Sequence, residues 1–162
     1  FKNTLKSLPN IIVNLQGDMP NIEPKIIKNL INYMQQGKCE VGTLASEIKN
    51  NFELEDENIV KVLVKEKLKE GIFSEALDFL RVNPGQNHKT YHHVGIYAFT
   101  SIALTKYVSL KRSKLELNRK LEQLRAMENG MSIHVGYINS SPLSVDTEKD
   151  LFRIKKLMEK NE

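Results

Sequence analysis

Cysteine is nearly absent. Cys39 is the single one among 162 residues, so no internal disulfide can form and no cysteine-based metal site is available. A cytoplasmic location fits that usage. No apolar run approaches the ~18 residues that a membrane span needs. The opening Phe1-Lys2-Asn3-Thr4-Leu5 lacks the apolar stretch of a secretory signal. The lysines are scattered, with no arginine-rich stripe and no interleaved aromatics, so no nucleic-acid partner is expected. Internal repeats are missing, and the one low-complexity hint is the Lys/Glu-rich stretch after Val64. No initiator Met opens the chain, and the natural N-terminus is expected to lie upstream of Phe1.

What is present is ordinary for a soluble domain. Hydrophobic residues make up 40% and charged residues 27%, and the length allows one domain, residues 1–162, with a real core. The net charge of +4 suits an anionic small molecule such as a nucleotide or an acid sugar, although basicity this modest is common.

The pattern alternates between strand and helix. Ile11-Ile12-Val13-Asn14-Leu15 predicts a strand buried on both faces, as in a parallel sheet, and it ends at the loop Gln16-Gly17-Asp18-Met19-Pro20. Ile26, Ile27, Leu30, Ile31 and Met34 recur at helical spacing, with Pro24 near the start and Gly37 at the end. Further strands are expected at Val41–Ala45, Ile59–Val64, Ala76–Leu80, Val94–Phe99 and Ile133–Ile138. The acidic residues 53–57 read as a surface segment, Gly71 as a turn, and Asn83-Pro84-Gly85-Gln86-Asn87 as a loop. Ile102–Val108 predicts a short helix. Leu117, Leu121 and Leu124 place a stripe on a second helix closed by Asn129-Gly130. A terminal helix follows Thr147, whose spacing to Asp150 resembles a capping box. The fold class expected is α/β with a mainly parallel sheet.

In open α/β sheets ligands sit beyond the carboxyl ends of the strands. Asp18 lies just past a strand, behind a glycine that lets the loop turn. A carboxylate there suits Mg²⁺, which takes oxygen ligands and pairs carboxylates with substrate phosphates. An Asx-turn or a helix N-cap explains it equally well. Asp146, at the mouth of a helix after a Ser/Pro loop, reads more readily as an N-cap.

Several blocks carry a resemblance. Val13-Asn14-Leu15-Gln16-Gly17-Asp18-Met19-Pro20, Val60-Lys61-Val62, His93-Val94-Gly95-Ile96-Tyr97, Ser113-Lys114-Leu115-Glu116, Leu121-Glu122-Gln123-Leu124-Arg125 and Val145-Asp146-Thr147-Glu148-Lys149-Asp150-Leu151 occur in order along the chain. They resemble V-N-(V/L)-Q-G-D-x-P, V-K-V, H-(L/V)-G-I-Y, S-P-L-E, L-E-Q-L-R and V-D-T-x-x-D-L of the 3-deoxy-manno-octulosonate cytidylyltransferase (CMP-Kdo synthetase) family.

The resemblance implies a Rossmann-like nucleotide-diphospho-sugar transferase sandwich. It implies an enzyme that joins CTP to 3-deoxy-manno-octulosonate (Kdo) with release of pyrophosphate, for lipopolysaccharide biosynthesis. It implies Asp18 and Asp146 as Mg²⁺ ligands and catalytic acids, with Gln16, His93, Tyr97, Glu122 and Gln123 around the sugar. Arg81 would grip the sugar carboxylate bidentately. A homodimer is implied on the same basis, and neither nucleic acid nor membrane is expected as a partner.

Taken one by one, these residues have plainer explanations. Tyr97 fits a half-buried strand aromatic, His92-His93 a surface pair, and Glu122 a salt bridge to Arg119 or Arg125. The chain also departs from the family: Leu80 stands at a serine position, Lys114 at a proline and His92 where arginine is frequent. The family's basic R-x-x-S-x-R-L-P-x-K loop for the CTP phosphates has no match, so N-terminal strand-helix units are expected to be missing and the segment alone to be inactive and prone to aggregate. Acylneuraminate cytidylyltransferase and a non-catalytic remnant of the fold are the alternatives.

Overall fold

Gly42 has no side chain, and a Cβ built there would lie 2.7 Å from Met34 Sδ and 2.8 Å from Leu30 Cδ1. That close approach seats the first helix on the sheet. The computed structural model describes residues 9–85, 89–139, 141–145 and 147–159. In chain order the elements are β1 (Ile11–Asn14), α1 (Pro24–Met34), β2 (Val41–Ser46), α2 (Asn51–Glu55), β3 (Lys61–Val64), β4 (Phe73–Leu80), β5 (Thr90–Thr100), α3 (Ser101–Ser109), α4 (Lys114–Arg119), α5 (Gln123–Glu128), β6 (Ile133–Tyr137) and α6 (Glu148–Met158).

The helical spacing of 26–34 forms α1 as expected. Pro24 sits in the first turn, where its missing N–H leaves no bond unmade. Leu30 and Met34 are fully buried against Leu44, Val94, Ile96 and Ala98 on one face of the sheet. The opposite face carries Val62, Phe79, Tyr97, Leu121, Leu124 and Val135. The sheet is therefore covered on both sides, with α1 on one and the α4–α5 pair on the other.

The sheet order is β1-β5-β2-β6-β4-β3, and β3 also pairs with β5. Among the described residues only β2 and β6 pair in parallel; the other pairings are antiparallel. The expectation of a mainly parallel sheet is thus corrected. β1 and β2 do run the same way, as a strand-helix-strand unit requires, since each is antiparallel to β5. But β5 lies between them. Alternating strands and helices encode direction, and a later strand took the place between the first two.

Two further expectations change, and a third gains detail. The run at 11–15 is not buried on both faces: Ile11, Ile12 and Val13 are half-buried, and Leu15 is 50% exposed. Among the described residues β1 pairs with β5 alone. The acidic segment 53–57 lies at the surface as expected, and its first three residues complete a short helix, α2, which Asn50 caps by accepting a hydrogen bond from Glu53 N. The single helix expected around Leu117–Leu124 is two, α4 and α5. Lys120 breaks it in the left-handed conformation, with φ 55°. Among the described residues no helix is long and apolar enough to cross a membrane.

Candidate functional site

Strand ends, a strand bulge and the α4–α5 corner converge on a cleft of about 780 Å³. Gln16 and Asp18 reach it from the loop after β1, and Arg81 from the end of β4. His93 and Tyr97 reach it from β5, and Glu122 and Gln123 from the α4–α5 corner. One space thus gathers every described residue singled out from the sequence. Asp146 lies outside the described residues.

The loop after β1 is strapped to the segment before α6. Val145 N donates to Asp18 O at 2.9 Å, Ser144 Oγ to Asp18 Oδ2 at 3.1 Å, and Leu143 N to Asn21 Oδ1 at 3.1 Å. Asp18 Oδ1 is fully buried and has no hydrogen-bond partner among the described residues. Neither plain explanation for Asp18 holds. The N-cap of α1 is Glu23, and no backbone N–H donates to the Asp18 carboxylate among the described residues. Gly17 and Asp18 lie in a turn, as expected, and Gly17 makes it without a left-handed φ. An orphaned carboxylate oxygen calls for a cation or a donor, and a hard divalent ion fits that demand. No cluster of three or more His, Cys, Asp or Glu that could hold a metal occurs among the described residues. The capping role considered for Asp146 belongs to its neighbour: Thr147 caps α6 in a capping box with Asp150.

His93 and Tyr97, four apart on β5, share a side of the strand, with ring centroids 5.5 Å apart. His93 is buried, not part of a surface pair, and packs edge-on to Phe79 at 5.0 Å. Burial, with His92 close by, pushes its imidazole down to about 3, so it is neutral at physiological pH. Burial, with Glu122 and Tyr107 nearby, holds the Tyr97 phenol well above its usual value. Between them, Gly95 faces open space: a Cβ built there meets nothing within 4 Å.

Glu122 makes no ion pair among the described residues, because its two candidate partners are engaged elsewhere. Arg119 Nη1 donates to Asp78 Oδ1 at 2.6 Å and to Phe79 O at 3.0 Å. Arg125 grips Glu116 through Nε and Nη2 at 2.8 and 2.5 Å. Glu116, itself the N3 member of the capping box with Ser113, is held below the usual carboxylate range chiefly by that Arg125 bond. These pairs lock the corner and leave the Glu122 carboxylate and the Gln123 amide free to face a ligand.

Arg81 Nη1 donates to Glu57 O at 3.0 Å, which leaves the rest of the guanidinium uncommitted. Its carbonyl and that of Asp56 accept from Lys61 Nζ at 2.8 and 2.6 Å. Burial pulls the Lys61 ammonium below the usual lysine value, and its role is to clasp two segments of the cleft wall together. Sequence reasoning did not single out Lys49, Lys120 and Arg153, which also line the cleft. They are three among 24 scattered basic residues. The left-handed φ of Lys120, a conformation seldom taken by residues other than glycine, appears only in the structure.

Residues 1–133 match the family model described as Cytidylyltransferase. The chain is 40% identical over 150 residues to a 3-deoxy-manno-octulosonate cytidylyltransferase of Bartonella tribocorum, covering 92% of this chain and 61% of that protein. It is 40% identical over 148 residues to the like-named protein of Paramagnetospirillum magneticum, covering 91% and 60%. The chain therefore spans about three fifths of the length of these curated relatives. Among solved structures, it superposes on CMP:2-keto-3-deoxy-manno-octonic acid synthetase complexed with CTP with a TM-score of 0.86 at 29% identity, covering 99% of this chain and 66% of that one. Apo UDP-glucose pyrophosphorylase, at 16% identity and a TM-score of 0.65, shares the fold.

Proposed function

The chain belongs to the cytidylyltransferase family, and on that premise we propose that it forms the sugar side of a CMP-Kdo synthetase active site. The reaction joins CTP to Kdo: the anomeric hydroxyl oxygen bonds to the α-phosphorus, the hydroxyl proton is lost and pyrophosphate leaves. The single observation that carries this reading is a set of polar groups with no protein partner around one cleft. Asp18 Oδ1 is orphaned, and the side chains of Glu122, Gln123 and Tyr97 have no hydrogen-bond partner among the described residues. A polyhydroxylated ligand supplies the missing donors and acceptors.

Each residue has a role in this reading. Glu122, Gln123 and Gln16 hold sugar hydroxyls. The neutral Tyr97 phenol offers a donor. Arg81 grips the sugar carboxylate with the part of its guanidinium not bound to Glu57. Asp18, with Asp146, would hold Mg²⁺, which when bound neutralises phosphate charge and lowers the pKa of the attacking hydroxyl. The Ser144 hydrogen bond keeps the Asp18 carboxylate turned so that Oδ1 remains the free oxygen. In the same reading the protein is a cytoplasmic homodimer serving lipopolysaccharide biosynthesis. The CTP phosphates are held by residues in the part of the relatives' length that this chain does not span.

The test is pyrophosphate release by the full-length protein with CTP and Mg²⁺, comparing Kdo with an N-acylneuraminate. Turnover with Kdo alone supports the reading. Faster turnover with the neuraminate assigns the cleft to acylneuraminate activation, and no turnover with either leaves a non-catalytic remnant.

A further inference from the structure

Thr43 is fully buried in β2 at the point where its ladder with β5 breaks step. Tyr97 lies opposite Thr43 and Val94 opposite Leu44, so Gly95 and Ile96 have no partner on β2. The Thr43 hydroxyl lies 3.2 Å from Val94 O and 2.9 Å from Ile96 O. The same oxygen lies 2.9 Å from His93 Nε2.

A hydroxyl has one hydrogen and two lone pairs, and a carbonyl oxygen can only accept. The Thr43 hydrogen is therefore committed to a backbone carbonyl, and the contact with His93 is favourable only if Nε2 carries a hydrogen and donates. We infer that Thr43 is a positioning residue that locks His93 in the Nε2–H tautomer and so makes Nδ1 an acceptor for a hydroxyl of the bound sugar. The ligand clause rests on the sugar-binding reading above; the tautomer clause does not.

Two observations extend the inference to the cleft. Burial keeps His93 neutral, so a tautomer and not a cation is present at physiological pH. Nδ1 has no hydrogen-bond partner among the described residues, and the only fully buried side-chain polar atom lacking one is Asp18 Oδ1. Nδ1 is thus open to the cleft that His93 lines. A lone pair at that point accepts from a hydroxyl and repels a carboxylate or phosphate oxygen. His93 then discriminates for a polyol, while the acid group of the sugar is directed elsewhere, towards Arg81. The hydroxyl of Thr43 also offers a donor to a backbone carbonyl at the bulge, so one side chain ties the strand geometry to the proton position.

The test is nitrogen-15 NMR of the histidine side chains of the protein at neutral pH, with calorimetric titration of Kdo. Wild type is expected to show His93 protonated on Nε2. Thr43→Ser, which keeps the hydroxyl, is expected to retain that spectrum and nearly the same affinity. Thr43→Val, close to isosteric, is expected to lose the single tautomer and weaken Kdo binding by about tenfold. A wild-type His93 protonated on Nδ1, or a folded Thr43→Val with unchanged spectrum and affinity, overturns the inference. The wild-type and Thr43→Ser spectra decide the tautomer even if Thr43→Val does not fold. A wild-type protein with the Nε2–H tautomer that binds no acid sugar supports the lock and overturns the sugar-binding reading.

Discussion

Ser144 donates its hydroxyl to Asp18 Oδ2 at 3.1 Å across 126 positions of chain. With one carboxylate oxygen occupied and the other buried without a partner among the described residues, Asp18 is half-satisfied at the edge of the cleft. The segment that ends next to Asp146 supplies that one hydroxyl.

Asp18→Asn should abolish most Mg²⁺-dependent turnover, by about 100-fold or more, with a melting temperature close to that of wild type. The amide keeps an acceptor for Ser144 and removes the charge that a cation requires. Pyrophosphate release across a Mg²⁺ titration measures the first and calorimetry the second. Turnover near the wild-type rate would remove Asp18 from the metal site. Asp146→Asn is expected to behave alike.

Glu122→Gln should leave stability unchanged, because no ion pair is lost among the described residues, and should raise the KM for Kdo about tenfold. A drop in melting temperature with unchanged KM would point instead to a structural role at the corner.

The Arg125–Glu116 pair contributes stability in a defined pH window. Glu116 is depressed by Arg125, so its stabilisation is fully present above the usual carboxylate range and is lost as pH falls through its lower folded value. Both side chains are largely buried, at 7% and 17% exposure. Glu116→Ala should cost about 3 kcal/mol at neutral pH, read by urea denaturation, and the gap to wild type should narrow in acid.

His93 works in the same direction, at higher pH. Its folded pKa of about 3 lies below its ordinary 6.5, so the unfolded chain takes up the proton first as pH falls below 6.5. Stability should decline by at most about 1.4 kcal/mol per pH unit from this group between those values. His93→Gln should flatten that decline in denaturation curves between pH 7 and 5. An unchanged slope would mean that the imidazole takes up its proton alike in the folded and unfolded chain.

Two glycines separate packing from ligand space. Gly42→Ala should destabilise by about 1–3 kcal/mol through overpacking against Met34 and Leu30. Gly95→Ala should be nearly neutral for stability, since its Cβ meets nothing within 4 Å, while narrowing the cleft and raising the KM for Kdo. Equal effects of the two on unfolding would contradict the open space at Gly95.

By itself the sequence determined what is local. The spacing of Ile26, Leu30 and Met34 made a helix with a buried face, and Val41–Ala45 made a strand, because side-chain periodicity is fixed by neighbours a few residues away. The ordered motif blocks carried the family and six of the seven described cleft residues, all but Arg81. Tertiary structure decided which strand lies beside which, since β5 separates β1 from β2 by contacts no local pattern records. It split one expected helix at Lys120. It gave Arg119 to Asp78 and Arg125 to Glu116, and so left Glu122 free for a ligand. It placed Thr43 against His93, fifty positions away, and with that settled where one proton sits. These choices depend on which groups are buried together and which donors remain to satisfy them, and only the folded chain brings such distant partners within reach of one another.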